Sequence, residues 1–180
     1  MDAYLDKSFT TYAGVADLIQ WCASHDVLFM INTTGMMGYF QRVFQKSLLP
    51  EVPVVSAQPL IRYVEKARSR VQFCNLLEIQ DKGKNTAAIA RKFDIPPRRI
   101  ILMGDSGGDG PHFQWGAKRD VRLIGAMAKP SLQSYCETHS VNIDLLFGVT
   151  YGKEEKRDIE REMQVDFRDL SSIIETLISD

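Results

Sequence analysis

The chain has 180 residues, 44% of them hydrophobic and 25% charged, with a net charge of -1 and a pI near 6.3. That length fits one domain with a substantial core, and the near-neutral balance leaves no electrostatic footprint for nucleic acid. The start, Met1-Asp-Ala-Tyr-Leu-Asp6, lacks the basic and apolar regions of a signal peptide, and no apolar run approaches a bilayer span, so neither nucleic acid nor membrane is an expected partner. Cys22, Cys74 and Cys136 are an odd, widely spaced set with no C-x-x-C pair. This argues against a disulfide framework or a zinc site and points to a reducing, cytoplasmic setting, with Cys22 and Cys74 as core thiols.

In chain order, Val15, Leu18, Ile19 and Cys22 recur at helical spacing, which predicts an amphipathic helix over 14–24. Val27 to Ile31 reads as a buried strand that stops at Asn32-Thr-Thr-Gly35, and Met36 to Phe44 as the next helix. Pro50 and Pro53 precede a short strand at Val54-Val55. Leu60 to Ile79 fits either a β-hairpin or a helix plus strand, with Glu65-Lys-Ala-Arg-Ser-Arg70 exposed in both cases. Lys82-Gly-Lys84 opens a helix whose Thr86, Ile89, Ala90 and Phe93 share a face. Strands follow at Ile100–Met103 and Val121–Ala126, then a helix after Lys129-Pro130 and an apolar Leu145-Leu-Phe147. Lys153 to Glu162 is a charge run, read as a solvated helix face. Leu170, Ile173, Ile174 and Leu177 give the last amphipathic helix. Alternating strands and helices define an α/β fold with a doubly wound parallel sheet and right-handed crossovers.

Chemistry concentrates where the strand at Ile100 stops, in Gly104-Asp-Ser-Gly-Gly-Asp-Gly110. The glycines let this loop turn tightly, and Asp105 and Asp109 sit at the carboxyl end of the strand, where open α/β sheets bind ligands. Two hard oxygen donors suit a Mg2+ ion that keeps several waters; an Asx-type turn before a helix is the other reading of the same residues. Thr33-Thr34 and Lys82 fall at two further strand ends. A hydroxyl, an ammonium and a carboxylate pair are the groups that surround a bound phosphate. His112 reads either as lining this site or as a helix-start residue, and Phe113 and Trp115 as core packing or a pocket wall.

Asn32-Thr33-Thr34-Gly35, Lys82-Gly83-Lys84 and Gly104-Asp-Ser-Gly-Gly-Asp109 resemble the second, third and fourth motifs of the haloacid dehalogenase (HAD) superfamily, most closely its phosphoserine-phosphatase-like branch. The order and spacing from Gly14 through Thr33 and Lys82 to Asp105, and Ala128-Lys129-Pro130 after the next strand, follow that branch, and the resemblance runs from about Tyr12 to Phe147. It implies a three-layer α/β/α core and a Mg2+-dependent phosphomonoester hydrolase acting on a small phosphorylated molecule. Thr33, Thr34, Gly35 and Lys82 would hold the phosphoryl group, with Thr33 and Lys82 as catalytic residues and Lys84 competing for the lysine role. Asp105 and Asp109 would hold the metal.

The family's first motif, a strand ending in Asp-x-Asp-x-Thr, supplies its nucleophile and its acid/base. The only imitation here is Asp6-Lys-Ser-Phe-Thr10, with Ser8 in the acid/base position and too little chain before Gly14 for the loop and flap that follow the nucleophile. The chain therefore reads as a single core that starts after motif one and the cap, with Asp6 as a weak nucleophile candidate. Without the central first strand, its two neighbours expose unpaired backbone groups. Ala3-Tyr-Leu5 could substitute, the neighbours could pair directly, or another copy or a partner segment could fill the gap. An inactive pseudophosphatase that binds phosphate, metal or a partner is the competing function, and a flavodoxin- or response-regulator-like domain the competing fold.

Overall fold

Short strands alternate with helices along most of the chain, and each strand pairs in parallel with its sheet neighbour. The computed structural model describes residues 1–64 and 69–179. Its elements are α1 (Asp2–Ser8), α2 (Val15–Ser24), β1 (Met30–Met36), α3 (Met37–Gln45), β2 (Val54–Gln58), β3 (Gln72–Asn75) and α4 (Asp81–Lys92). They continue with β4 (Ile101–Gly104), α5 (Gly110–Ala117), β5 (Arg122–Ala126), α6 (Pro130–Thr138), β6 (Leu145–Phe147), α7 (Ile159–Glu162) and α8 (Leu170–Ser179).

The strands form two separate parallel sheets, β1-β2-β3 and β4-β5-β6, instead of one continuous sheet. Side-chain alternation builds the three expected layers. Val55 and Ala57 of β2 pack with Leu5, Ile19 and Val43 from α1, α2 and α3, while Ser56 accepts a hydrogen bond from Asn85 of α4 at 2.9 Å on the opposite face. In the second sheet, Ile124 and Ala126 join Leu18, Cys22, Leu170 and Ile174 from α2 and α8, whereas Leu123 joins Phe113, Leu132 and Cys136 from α5 and α6. Helix α2 thus contributes to a core under each sheet.

Several expectations change. Strand β1 starts three residues late because Val27 N–H closes the end of α2 on the Cys22 carbonyl at 2.9 Å, after Asp26 takes φ 56. It then runs through Asn32-Thr33-Thr34-Gly35, with its pairing to β2 interrupted between Asn32 and Met36. The hairpin reading of Leu60 to Ile79 fails because β3 pairs with β2 in parallel; of the charged stretch there, Glu65 to Arg68 lie outside the described residues and Arg70 is exposed. Cys74 is half-buried, Cys22 and Cys136 buried. Ala3-Tyr-Leu5 is no substitute strand: it belongs to α1 and seats Leu5 in the core.

The charge run 153–162 is not a uniformly solvated helix. Only its end is helical, and Glu162 is 0% exposed. Its carboxylate accepts from Tyr12 Oη at 2.6 Å, Tyr151 Oη at 3.0 Å, and Arg157 Nε and Nη2 at 2.9 and 2.7 Å. The Arg157 hydrogen bonds outweigh burial and hold this carboxyl down at about 2. No helix among the described residues is long and apolar enough to cross a membrane.

Candidate active site

The loop after β4 folds back on its own strand. A Cβ at Gly104 would stand 2.6 Å from Asp109 Cβ, so only glycine admits this return. Asp109 Oδ2 accepts from the N–H groups of Asp105 at 3.0 Å and Ser106 at 3.3 Å, and Ser106 reciprocates in a capping box. The turn-forming reading thus describes Asp109 Oδ2.

Asp109 Oδ1 has a different partner. Lys82, in the first turn of α4 and 5% exposed, donates from Nζ to it at 2.5 Å. Lys84 faces solvent instead and pairs with Asp81 at 2.9 Å. Of the two lysines, Lys82 is the one that reaches the acidic loop. Asp105, with 42% of its side chain exposed, pairs through Oδ2 with Lys129, whose backbone N–H also donates to the Asp105 carbonyl at 2.8 Å. Two ammoniums and two carboxylates therefore gather at the carboxyl end of β4.

Strand β1 reaches the same region through Asn32. Its Nδ2 donates to the Lys82 carbonyl at 3.0 Å and to Thr86 Oγ1 at 3.2 Å, and Thr86 meets His112 Nε2 at 3.0 Å. Lys82 thus contacts residues near the carboxyl ends of both β1 and β4. Asn32 Oδ1 is buried with no hydrogen-bond partner among the described residues. His112 is 6% exposed. Burial, reinforced by the Lys82 charge and opposed by Asp109, pushes its imidazole down to about 4, so it is neutral at pH 7 and shares one hydrogen bond with the Thr86 hydroxyl. It is neither a surface residue nor open to a ligand.

Thr33 is half-buried on β1, its Oγ1 accepting from Gly35 N–H at 3.0 Å, and Thr34 and Gly35 are exposed beside it. Asp6 is elsewhere. It sits on α1 with 60% of its side chain exposed and pairs with Lys46 at 2.7 Å. The nine residues of α3 separate Lys46 from the carboxyl end of β1 by about 13 Å. The spacing that matched Asp6 to a nucleophile does not bring it to the site. Phe113 is 0% exposed and belongs to the core.

Sequence reading missed the Asn32–Thr86–His112 chain and the pairing of Lys129 with Asp105. The first had a faint signal, a polar residue closing an apolar strand; the second had Lys129 immediately before a helix-starting proline. Among the described residues, no group of three His, Cys, Asp or Glu side chains is placed to hold a metal ion.

Parallel strands under two helical layers, with chemistry gathered at their carboxyl ends, define a HAD-like α/β fold. Solved phosphoserine phosphatases share it. The apo form superimposes with a TM-score of 0.59 at 19% identity, covering 92% of this chain and 68% of that one. A phospho-aspartyl intermediate analogue gives 0.57 at 18%, and a substrate-bound complex 0.58 at 17%, each covering 91% of this chain and 64% of the other. The chain thus spans about two thirds of the length of these structures. No protein-family model and no curated protein matches the sequence.

Proposed function

We propose that this chain forms the phosphate- and Mg2+-binding part of a HAD-type phosphomonoester hydrolase site acting on a small phosphorylated molecule. The observation that carries this reading is the nearly buried Lys82–Asp109 pair at 2.5 Å, set beside Asp105 and Lys129 at the carboxyl end of β4. Lys82 would balance phosphoryl charge while Asp109 fixes its position. The Thr33 hydroxyl and the exposed Thr34 backbone would donate to phosphoryl oxygens, with Gly35 N–H holding Thr33 Oγ1 in place.

The donor set suits magnesium, which binds through one or two carboxylates and keeps several waters. Both oxygens of Asp109 already have partners, so Asp105, engaged only through Oδ2, would be the inner ligand and Asp109 its support. Bound Mg2+ would neutralise phosphoryl charge. A second reading, a phosphate-binding module without turnover, is favoured by Asp6, which pairs with Lys46 away from these groups.

Calorimetric titration with inorganic phosphate, with and without Mg2+, tests the site. Binding should weaken at least about tenfold in Lys82→Met and Asp105→Asn, a loss of about 1.4 kcal/mol or more, and be unchanged in Asp6→Ala. Equal binding in all variants, or none in the parent, refutes the reading. Mg2+-dependent hydrolysis of an aryl phosphate separates the two functions: turnover selects the hydrolase, and binding without turnover selects the module.

A further inference from the structure

We infer that the cleft between α4 and α5, at the amino end of β4, is a binding site for a small planar aromatic carboxylate. The cleft measures about 530 Å³, within the range that holds small ligands. Ala90 of α4, Ile95 of the loop after it, Ile100 just ahead of β4 and Trp115 of α5 give it apolar walls. Arg91, Asp94 and Arg119 add charges around them. None of these residues belongs to the candidate active site. Ile100 precedes β4 and Asp105 follows it, so four residues of strand, about 13 Å, lie between the two places. The cleft therefore stands independently of any phosphate bound beside Lys82.

The chemistry of the ligand follows from what the walls leave unmatched. Trp115 is a fixed wall: a Cβ at Gly83 would stand 2.6 Å from its Cγ, and its ring lies 5.8 Å from that of His112. Its half-buried indole offers aromatic surface to a flat hydrocarbon. Arg119 stands over the same ring, with Cζ 4.9 Å from the centroid, and donates from Nη1 to the Trp115 carbonyl at 3.0 Å. That bond orients the guanidinium fork before any ligand arrives. Neither Arg119 nor Arg91 has an ion pair among the described residues, although Asp94 lines the same cleft. Two guanidiniums and one carboxylate leave a single positive charge unmatched. One carboxylate satisfies it, and a guanidinium fork takes a carboxylate through two parallel hydrogen bonds. A phosphate monoester, at about −2, overshoots it.

An NMR titration of the intact chain with 2-naphthoate tests this, reading the indole N–H signals of the two tryptophans, which Trp21→Phe assigns. The Trp115 signal should shift with a Kd at or below about 1 mM, the level expected for a ligand of this size. The Trp21 signal should stay. Arg91 and Arg119 are exposed, so their substitution leaves folding intact. Arg91→Gln and Arg119→Gln should each raise the Kd roughly fivefold or more. Two controls, 2-naphthylmethylammonium with the ring but the opposite charge and acetate with the charge but no ring, should bind at least about tenfold more weakly. Five results overturn the proposal: no shift at Trp115 at about 5 mM, an equal shift at Trp21, unchanged binding in both arginine variants, equal binding by either control, or displacement by inorganic phosphate, which would put the naphthoate beside Lys82.

Discussion

Lys82 and Asp109 illustrate what a nearly buried ion pair demands. With side-chain exposures of 6% and 14%, neither charge has much water to fall back on. Removing one partner strands the other, at a cost of about 3–5 kcal/mol, whereas removing both is far milder. In urea unfolding, Lys82→Met should therefore be markedly less stable than Lys82→Met combined with Asp109→Asn, which removes the second charge but keeps an acceptor for the Asp105 and Ser106 N–H groups. His112 predicts a pH dependence. Its folded-state value is depressed from 6.5 to about 4, so the unfolded chain binds the extra proton, and stability falls as pH drops through that window. The full loss is about 3 kcal/mol. Glu162, lowered from 4.5 to about 2, contributes a separate loss that begins as pH falls through about 4.5. Unfolding free energies measured between pH 7 and about 5, above that onset, should slope in the parent and be nearly flat in His112→Gln, which keeps a partner for Thr86 without titrating.

Among the elements, the junction of α5 with α6 leaves little room. A Cβ at Gly110 would lie 2.4 Å from the Tyr135 ring, while one at Gly108 would meet only Ser106 Oγ at 3.8 Å. Gly110→Ala should destabilise by about 1–3 kcal/mol through overpacking, and Gly108→Ala by much less; thermal unfolding of the two variants makes the comparison. This constraint links residues distant in sequence, and nothing in the local pattern announces it. The same divide explains how much was legible beforehand. Helices α2, α3, α4 and α8 were readable from apolar spacing, and β4 from Ile100–Met103, because burial on one side leaves a periodic trace. The meeting of Lys82 with the acidic loop is legible as a convergence of charges at strand ends, but its direct ion pair with Asp109 is not. Helix α1 was not, since a short helix anchored by Leu5 alone has no period to detect. Glu162 reads as solvated in the sequence because the partner that completes its burial beside Tyr151 and Arg157 is Tyr12, 150 residues away.

At the scale of the whole molecule, α2 is the member common to both sheets. Truncating Leu18 or Ile19 to alanine should cost about 2–5 kcal/mol each. Either change should lower protection in β2 and β5 alike, since each core leans on the same helix; hydrogen exchange of the two strands checks this. That helix is itself seated from a distance. Ala13 bridges to Asp166, and Phe167 N–H donates to the Ala13 carbonyl at 2.8 Å. Gly14 takes φ 74 where a Cβ would collide with Asp166 Oδ1 at 2.2 Å. Contacts this remote along the chain slow folding, because a large loop must close before they return any free energy. During synthesis, the helix that organises both sheets would leave the ribosome well before the segment around Asp166 and Phe167, and wait, half-anchored, while the intervening strands and helices are made.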